Sequence, residues 1–292
     1  MERKFAIMTD SSADLPEEYL KEHGVYSVEL GFMLNGVTYG GEDGAHMDVK
    51  TFYAKLRNEK AMPTTFQIAP EQAKAHIEPL VAAGNDVLVI AFSSGLSGTA
   101  NSFVVAAREL SAQYPQRKIF VVDSLSASLG EGLLVDYVVK KADTGASIEE
   151  VRDYAESLKL HIVHMFTVDN LFHLHRGGRV SKSTAIMGTL LNIKPVLHVD
   201  DAGHLIAIGK VMTRKKSVSA LVDHMKQLAV LEDDEPIFIS HGDCMDDVES
   251  LIQLIRRSFG DRHPILVNYV GNVIGTHSGP GTLALFFRGT HR

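Results

Sequence analysis

Residues 86–92, Asp-Val-Leu-Val-Ile-Ala-Phe, form an apolar run broken by no polar residue after Asp86, and they pass through Ser93-Ser-Gly-Leu-Ser-Gly98 into a helical pattern over 99–113. A strand with one wet face alternates apolar and polar residues, so this run predicts a strand covered on both faces. Such a strand needs a sheet with helices above and below it. The neighbouring segments agree, with buried strands predicted over 4–10 and 119–123. Helices are predicted over 48–58, from Pro70 to about 83, and from after 123 to about 141. Ser147-Ile-Glu-Glu150 is a capping box for a helix ending near 159. Asp14, three residues before Glu17, predicts a capped helix start, and Asn35-Gly36 predicts a hairpin between 26–34 and 37–39. Residues 63–69 read as a polar loop. Strand and helix alternate throughout this half, which predicts a parallel sheet in an α/β/α arrangement.

The pattern changes after about 158. Strands are predicted over 161–168, 196–199 and 204–211, the last two joined by Asp-Asp-Ala-Gly203 as a hairpin. A strand over 237–240, a helix over 246–259 and strands over 265–270 and 282–287 follow. The expected fold is α/β in two domains. Residues 1–158 form the parallel-sheet domain, and residues 159–292 form a second α/β domain with a mixed or antiparallel sheet. A chain of 292 residues has room for both.

Composition narrows the function. The formal net charge is -7 and no basic stripe appears, which argues against a nucleic-acid partner. The one cysteine, Cys244, permits no intrachain disulfide and fits a reducing compartment. The apolar run Phe5-Ala-Ile-Met8 is too short for a signal peptide, and no stretch has the length of a membrane span. A soluble cytoplasmic protein is expected.

Four segments offer chemistry. Ser93 to Thr99 leads from a strand into a helix, whose unpaired N–H groups suit an anion, with Ser94 and Ser97 as added hydroxyl donors; alternatively Ser97 or Thr99 only caps the helix. Neither the G-x-S-x-G elbow nor a nucleotide-binding glycine motif is present. Pro63-Thr-Thr-Phe-Gln67 carries two hydroxyls in an apparent loop. Arg176-Gly-Gly-Arg-Val-Ser-Lys182 places Arg179 at a turn between helices, either solvated or turned inward toward an anion. Thr276-His-Ser-Gly-Pro-Gly281 places His277 in a turn between strands, either structural or a source of charge near neutral pH. Metal binding is not expected, because neither His161 with His164 nor His173 with His175 converges by spacing. The stretch 183–193 is apolar nearly all round, a core helix or one wall of an apolar pocket with Ile186, Met187, Leu190 and Leu191 as candidates.

In order and spacing, Thr9-Asp-Ser-Ser-Ala-Asp-Leu15, Thr64-Thr-Phe-Gln67, Ser93-Ser-Gly-Leu-Ser-Gly-Thr99, Asp123-Ser124, Gly177-Gly-Arg-Val-Ser-Lys182, Ile193-Lys-Pro195 and His277-Ser-Gly-Pro-Gly281 resemble the DegV family, the fatty acid-binding subunits of bacterial fatty acid kinases. The resemblance covers the whole chain and rests on the set, since no one motif is specific. It implies a long-chain fatty acid enclosed between two α/β domains, with no cofactor. It implies that Thr65 and Ser97 hold the carboxylate and that Arg179 and His277 stand near it. Thr64 replaces Thr65 if the loop shifts by one residue. Phe66 and Ile68 stand where the family pattern usually has serine and proline, which bears on the pocket mouth.

The resemblance further implies that the chain is not itself an enzyme. A separate ATP-dependent kinase phosphorylates the carboxylate to an acyl phosphate, and Arg214 helps dock it; an ordinary charge cluster at a helix start explains Arg214 equally. Two other readings compete. One is a serine-dependent hydrolase or transferase with Ser97 as nucleophile and His277 as base. The other is a carrier of another anionic lipid.

Overall fold

The computed structural model describes residues 3–59, 62–181 and 193–292. The first half runs β1 (Phe5–Asp10), α1 (Glu17–Glu22), β2 (Val25–Val28), β3 (Gly31–Leu34), β4 (Val37–Gly40), α2 (Val49–Asn58), β5 (Thr64–Phe66), α3 (Pro70–Ala82), β6 (Asp86–Ala91), α4 (Thr99–Gln113), β7 (Ile119–Asp123), α5 (Leu129–Asp143) and α6 (Ile148–Leu158). The second half runs β8 (Ile162–Thr167), α7 (Phe172–Arg176), β9 (Ile193–Val199), β10 (Leu205–Met212), α8 (Arg214–Leu228), β11 (Ile237–His241), α9 (Met245–Phe259), β12 (Ile265–Tyr269), α10 (Asn272–Ser278) and β13 (Leu283–Arg288).

Three sheets result. Strands β2-β1-β6-β7 form an all-parallel sheet, β10-β9-β8-β13-β11-β12 a mixed sheet, and β4-β3-β5 a small antiparallel one. The apolar run through β6 is covered on both faces, as its composition requires. On β1, Ala6 and Met8 pack toward α3 and α4, while Phe5 and Ile7 pack toward α5 and α6. The six-stranded sheet divides in the same way. Phe166, Leu197, Phe238 and Phe286 face α5, whereas Met165, Val196 and Ile239 face α8 and α9.

Helix α5 therefore lies between two sheets, which explains why Leu133, Leu134, Val135, Val138 and Val139 are all fully buried. Each such side chain contributes about 1.5–3 kcal/mol of burial. One core joins the halves through α5, and its N-terminal end opens on the space between them.

Several expected elements differ. Residues 64–66 form β5 rather than a loop, paired antiparallel to β3 at Thr65 and Phe66. Three residues are too few to show alternation, and the strand exists because β3 supplies its hydrogen bonds. The segment 26–34 splits, with β2 in the parallel sheet and β3 in the small one. His277 lies in the last turn of α10, not in a turn between strands. That helix has seven residues, below the length at which apolar periodicity is legible. Tertiary bonds hold it, from Asn272 Nδ2 to Met47 O at 2.8 Å and from Tyr53 Oη to Val270 O at 2.8 Å. Asp14 does not cap α1, whose cap position is Pro16. Its carboxyl is buried and accepts instead from Ser128 Oγ. Lys182 and nearly all of the apolar stretch 183–193, including Ile186, Met187, Leu190 and Leu191, lie outside the described residues; Ile193 opens β9.

Candidate ligand-binding site

A cavity of about 650 Å³ opens between the two large sheets, within the range usual for small-molecule sites. Leu30, Phe92, Phe166, Leu174, Ile274 and Phe286 contribute to its apolar wall. Thr65, Gln67, Ser94, Ser97, Arg179 and His277 also line it.

Local structure delivers each polar group. The β3–β5 pairing turns Thr65 toward the cavity and leaves its neighbour Thr64 exposed and outside the lining. Thr65 Oγ1 and His277 Nε2 are 2.7 Å apart. Gly178, at a φ of 74°, ends α7 with a Schellman motif in which Arg179 N donates to Leu174 O at 2.9 Å. The left-handed residue reverses the chain and sends Arg179 back over the cavity. Its Nε and Nη2 donate to Leu96 O at 3.2 and 3.1 Å, and Nη1 donates to Gly177 O.

The Ser93-to-Gly98 loop is built to hold its shape. Ser93 Oγ donates to Gly203 O at 3.0 Å, and Ser97 N donates to Ser93 O at 3.1 Å. Helix α4 begins at Gly98 without a side-chain cap. Ser97 Oγ accepts from Thr99 N at 3.2 Å and lies 3.0 Å from Thr99 Oγ1. Ser97 thus touches the helix end and lines the cavity at once. Ser94 sits at the exposed rim, with its amide donating to Asp123 Oδ1 at 3.1 Å.

The electrostatics favour an anion. The Arg179 donors end on carbonyl oxygens, which leaves its half-buried positive charge without a carboxylate partner among the described residues. Arg176 Nη2 likewise donates to Thr276 O at 3.3 Å, and its Nε is buried without a partner among the described residues. Burial first, then Arg179 and Arg176, pushes the His277 pKa from 6.5 down to about 4. His277 Nδ1 is buried against Gly177 with no partner among the described residues, so the ring presents Nε2 to Thr65.

The arrangement does not activate a serine. Ser97 Oγ is engaged by Thr99 and His277 by Thr65, so neither hydroxyl nor imidazole has the other as partner. Among the described residues no cluster of three His, Cys, Asp or Glu could hold a metal ion. Arg214 lies outside the cavity lining, at the start of α8, where its Nε donates to Asp247 Oδ2 at 2.9 Å. Phe66 lines the cavity with its ring seated against Gly31, where no Cβ could fit, while Ile68 is buried in the core beneath α3 and α4.

Sequence patterns did not single out Gln67, His164, Phe166, Val273 or Phe286, all of which line the cavity. They come from four separate segments, with His164 and Phe166 both on β8, and read locally as core. Gln67 alone had a signal, its place beside Thr65; its side chain packs against Gly98.

These features define a class, an α/β protein enclosing an apolar cavity with an anion-suited polar cluster. The DegV family model matches residues 4–290, and the chain belongs to that family. A DegV domain-containing protein of Clostridium perfringens is 42% identical over 287 residues, covering 98% of each chain. The fold matches a fatty acid-binding DegV family protein from Thermus thermophilus with a TM-score of 0.86, at 32% identity over 98% of this chain and 99% of that one. It matches DegV from Bacillus subtilis, described as a fatty acid binding protein, with a TM-score of 0.81, at 28% identity over 98% and 99%.

Proposed function

We propose that this chain binds a long-chain fatty acid in the cavity and presents its carboxylate to a separate ATP-dependent kinase, which converts it to an acyl phosphate. The carrying observation is one apolar cavity in which Thr65, Ser97, Arg179 and His277 converge. The two related structures described as fatty acid-binding support the first part of the reading.

Residues 1–158 supply Thr65, Ser94 and Ser97, and residues 159–292 supply Arg179 and His277, so the ligand is held between the two halves. A tail of about fifteen methylenes at about 0.8 kcal/mol each gives about 12 kcal/mol of gross burial. Association and tail ordering offset several kcal/mol of that. Each head-group hydrogen bond contributes about 1–3 kcal/mol. Affinity thus comes from the tail, and Thr65 and Ser97 set orientation. If His277 Nε2 donates to Thr65 Oγ1, the threonine hydroxyl is free to donate to the carboxylate.

In the transfer step a carboxylate oxygen forms the new bond to the γ-phosphorus of ATP, the β–γ bridge breaks, and ADP leaves. Arg179 and His277 face the charge that gathers at the head group. The kinase supplies ATP and its metal, and Arg214 with the basic start of α8 is its docking point. Such a role belongs in the cytoplasm, where ATP is available. No helix among the described residues is long and apolar enough to cross a membrane.

The test is to purify the protein without added lipid, extract it with organic solvent, and analyse the extract by mass spectrometry. A near-stoichiometric fatty acid supports the reading and names the chain. An empty protein that also fails to bind added long-chain acids overturns it.

A further inference from the structure

The cavity is walled on one side by α10, which carries Val273, Ile274 and His277, and at one end by the start of α5, which carries Ser128. One buried carboxyl touches both. Asp14 is 8% exposed and sits at a φ of 52° after the 3-10 turn Ser11–Ala13. It accepts from Ser128 Oγ, which in turn lies 2.8 Å from Ser240 Oγ and can accept from it. Its other oxygen, Oδ1, packs closely against the backbone of Gly271. Gly271 is the cap position of α10 and has no side chain of its own to serve as cap. Asn268 Nδ2 then donates to Asp14 O at 2.8 Å, tying the same residue to β12.

We infer that Asp14 is a positioning residue of this cavity: its carboxyl packs against Gly271 at the start of α10 and, bonded to Ser128, holds that helix against α5 so that His277 meets Thr65. The inference rests on the reading that the cavity binds a fatty acid. The arrangement uses a side chain from β1's far end to join two helices separated from it by more than a hundred residues of sequence. A residue serving α1 alone would have no reason to be buried among Ser128, Ser240 and Gly271.

The joint is also sensitive to pH. Burial raises the Asp14 pKa to about 7 against the hydrogen bond from Ser128, and Asp10 raises it further. The groups facing it are Asp10 on β1, Glu131 on α5 and Tyr53 on α2. None of Asp10, Asp14 and Glu131 has a lysine or arginine partner among the described residues; they bond to Ser12 and Phe92 amides, to Ser128, and to Thr9 Oγ1 at 3.0 Å respectively. Ionised, Asp14 accepts from Ser128 and sets a negative charge against Gly271 at the start of α10; protonated, it loses that charge.

The test compares the delipidated full-length chain with Asp14→Asn and Ser128→Ala, using oleate displacement of a fluorescent fatty-acid analogue between about pH 6 and 8. Asp14→Asn is expected to weaken oleate binding about fivefold above neutral pH, the equivalent of one hydrogen bond, and to flatten the wild-type pH dependence. Its melting temperature should hold or rise, because a buried charge is removed. The imidazole NMR signals of His277 should shift in both variants. Unchanged oleate affinity and unchanged His277 signals would overturn the inference, as would an affinity loss that merely tracks a lower melting temperature. If wild-type protein binds no oleate at any pH, the functional reading fails instead.

Discussion

Acid should destabilise the empty protein through His277, and the size of the effect can be worked from its surroundings. The unfolded chain takes up this proton near pH 6.5, whereas in the folded empty protein burial and the two guanidiniums delay it to about 4. Between these values the unfolded state binds more protons, so stability is intact above about pH 6.5 and is lost as pH falls toward 4. The gap of about 2.5 units has a ceiling of about 3 kcal/mol at 1.36 kcal/mol per unit. Because the ring is only partly buried, about 1–3 kcal/mol is expected. Replacing His277 by glutamine keeps a group that can bond Thr65 Oγ1 but cannot titrate. Urea unfolding of the delipidated wild type and His277→Gln, at about pH 4.5 and 7.5, isolates the contribution. Asp10 and Asp14, whose pKa values are raised to about 6 and 7, act in the opposite direction but are common to both proteins. The variant should lose about 1–3 kcal/mol less than wild type on acidification, and saturating oleate should narrow the difference by giving His277⁺ an anionic partner. Parallel pH profiles for the two proteins would refute the assignment of a neutral, charge-frustrated His277 at the site.

Thr65→Val and Ser97→Ala should each weaken oleate binding by about 1–2 kcal/mol, roughly five- to thirtyfold, read by displacement titration. Arg179→Ala should slow acyl-phosphate formation by the partner kinase more than it weakens lipid binding; equal losses in both assays would reject its role at the developing charge. Glu131→Gln should raise the melting temperature at alkaline pH and have little effect in acid. Burial holds the pKa of Glu131 well above 4.5 and its Oε2 has no partner among the described residues, so its stabilising protonated form is lost as pH rises through that raised value.

Much of the fold was legible because the physics that sets it is local. The unbroken apolar run of β6 requires two covered faces, and the Ser147–Glu150 capping box marks α6 at its first turn. Asn35 and Gly36, both at positive φ, mark the β3–β4 hairpin. The site was legible only in part. Ser97 and Arg179 sit at helix boundaries, where Ser, Gly and charge stand out against apolar periodicity. The His277 helix and the Thr65 strand were misread because each is short and is held by partners distant in sequence, Met47 and Tyr53 for one and β3 for the other.

The sequence by itself determined the layered α/β architecture and the polar residues available for an anion, since strand burial, caps and turns depend on neighbours a few positions away. Only the tertiary structure decided which of those residues meet. It turned Thr65 inward and Thr64 outward by strand pairing, brought His277 to 2.7 Å from Thr65 across 212 positions, and drew the apolar wall from elements that each looked like ordinary core. Register and helix docking carry that information, and both are set by contacts between segments rather than by the composition of any one of them.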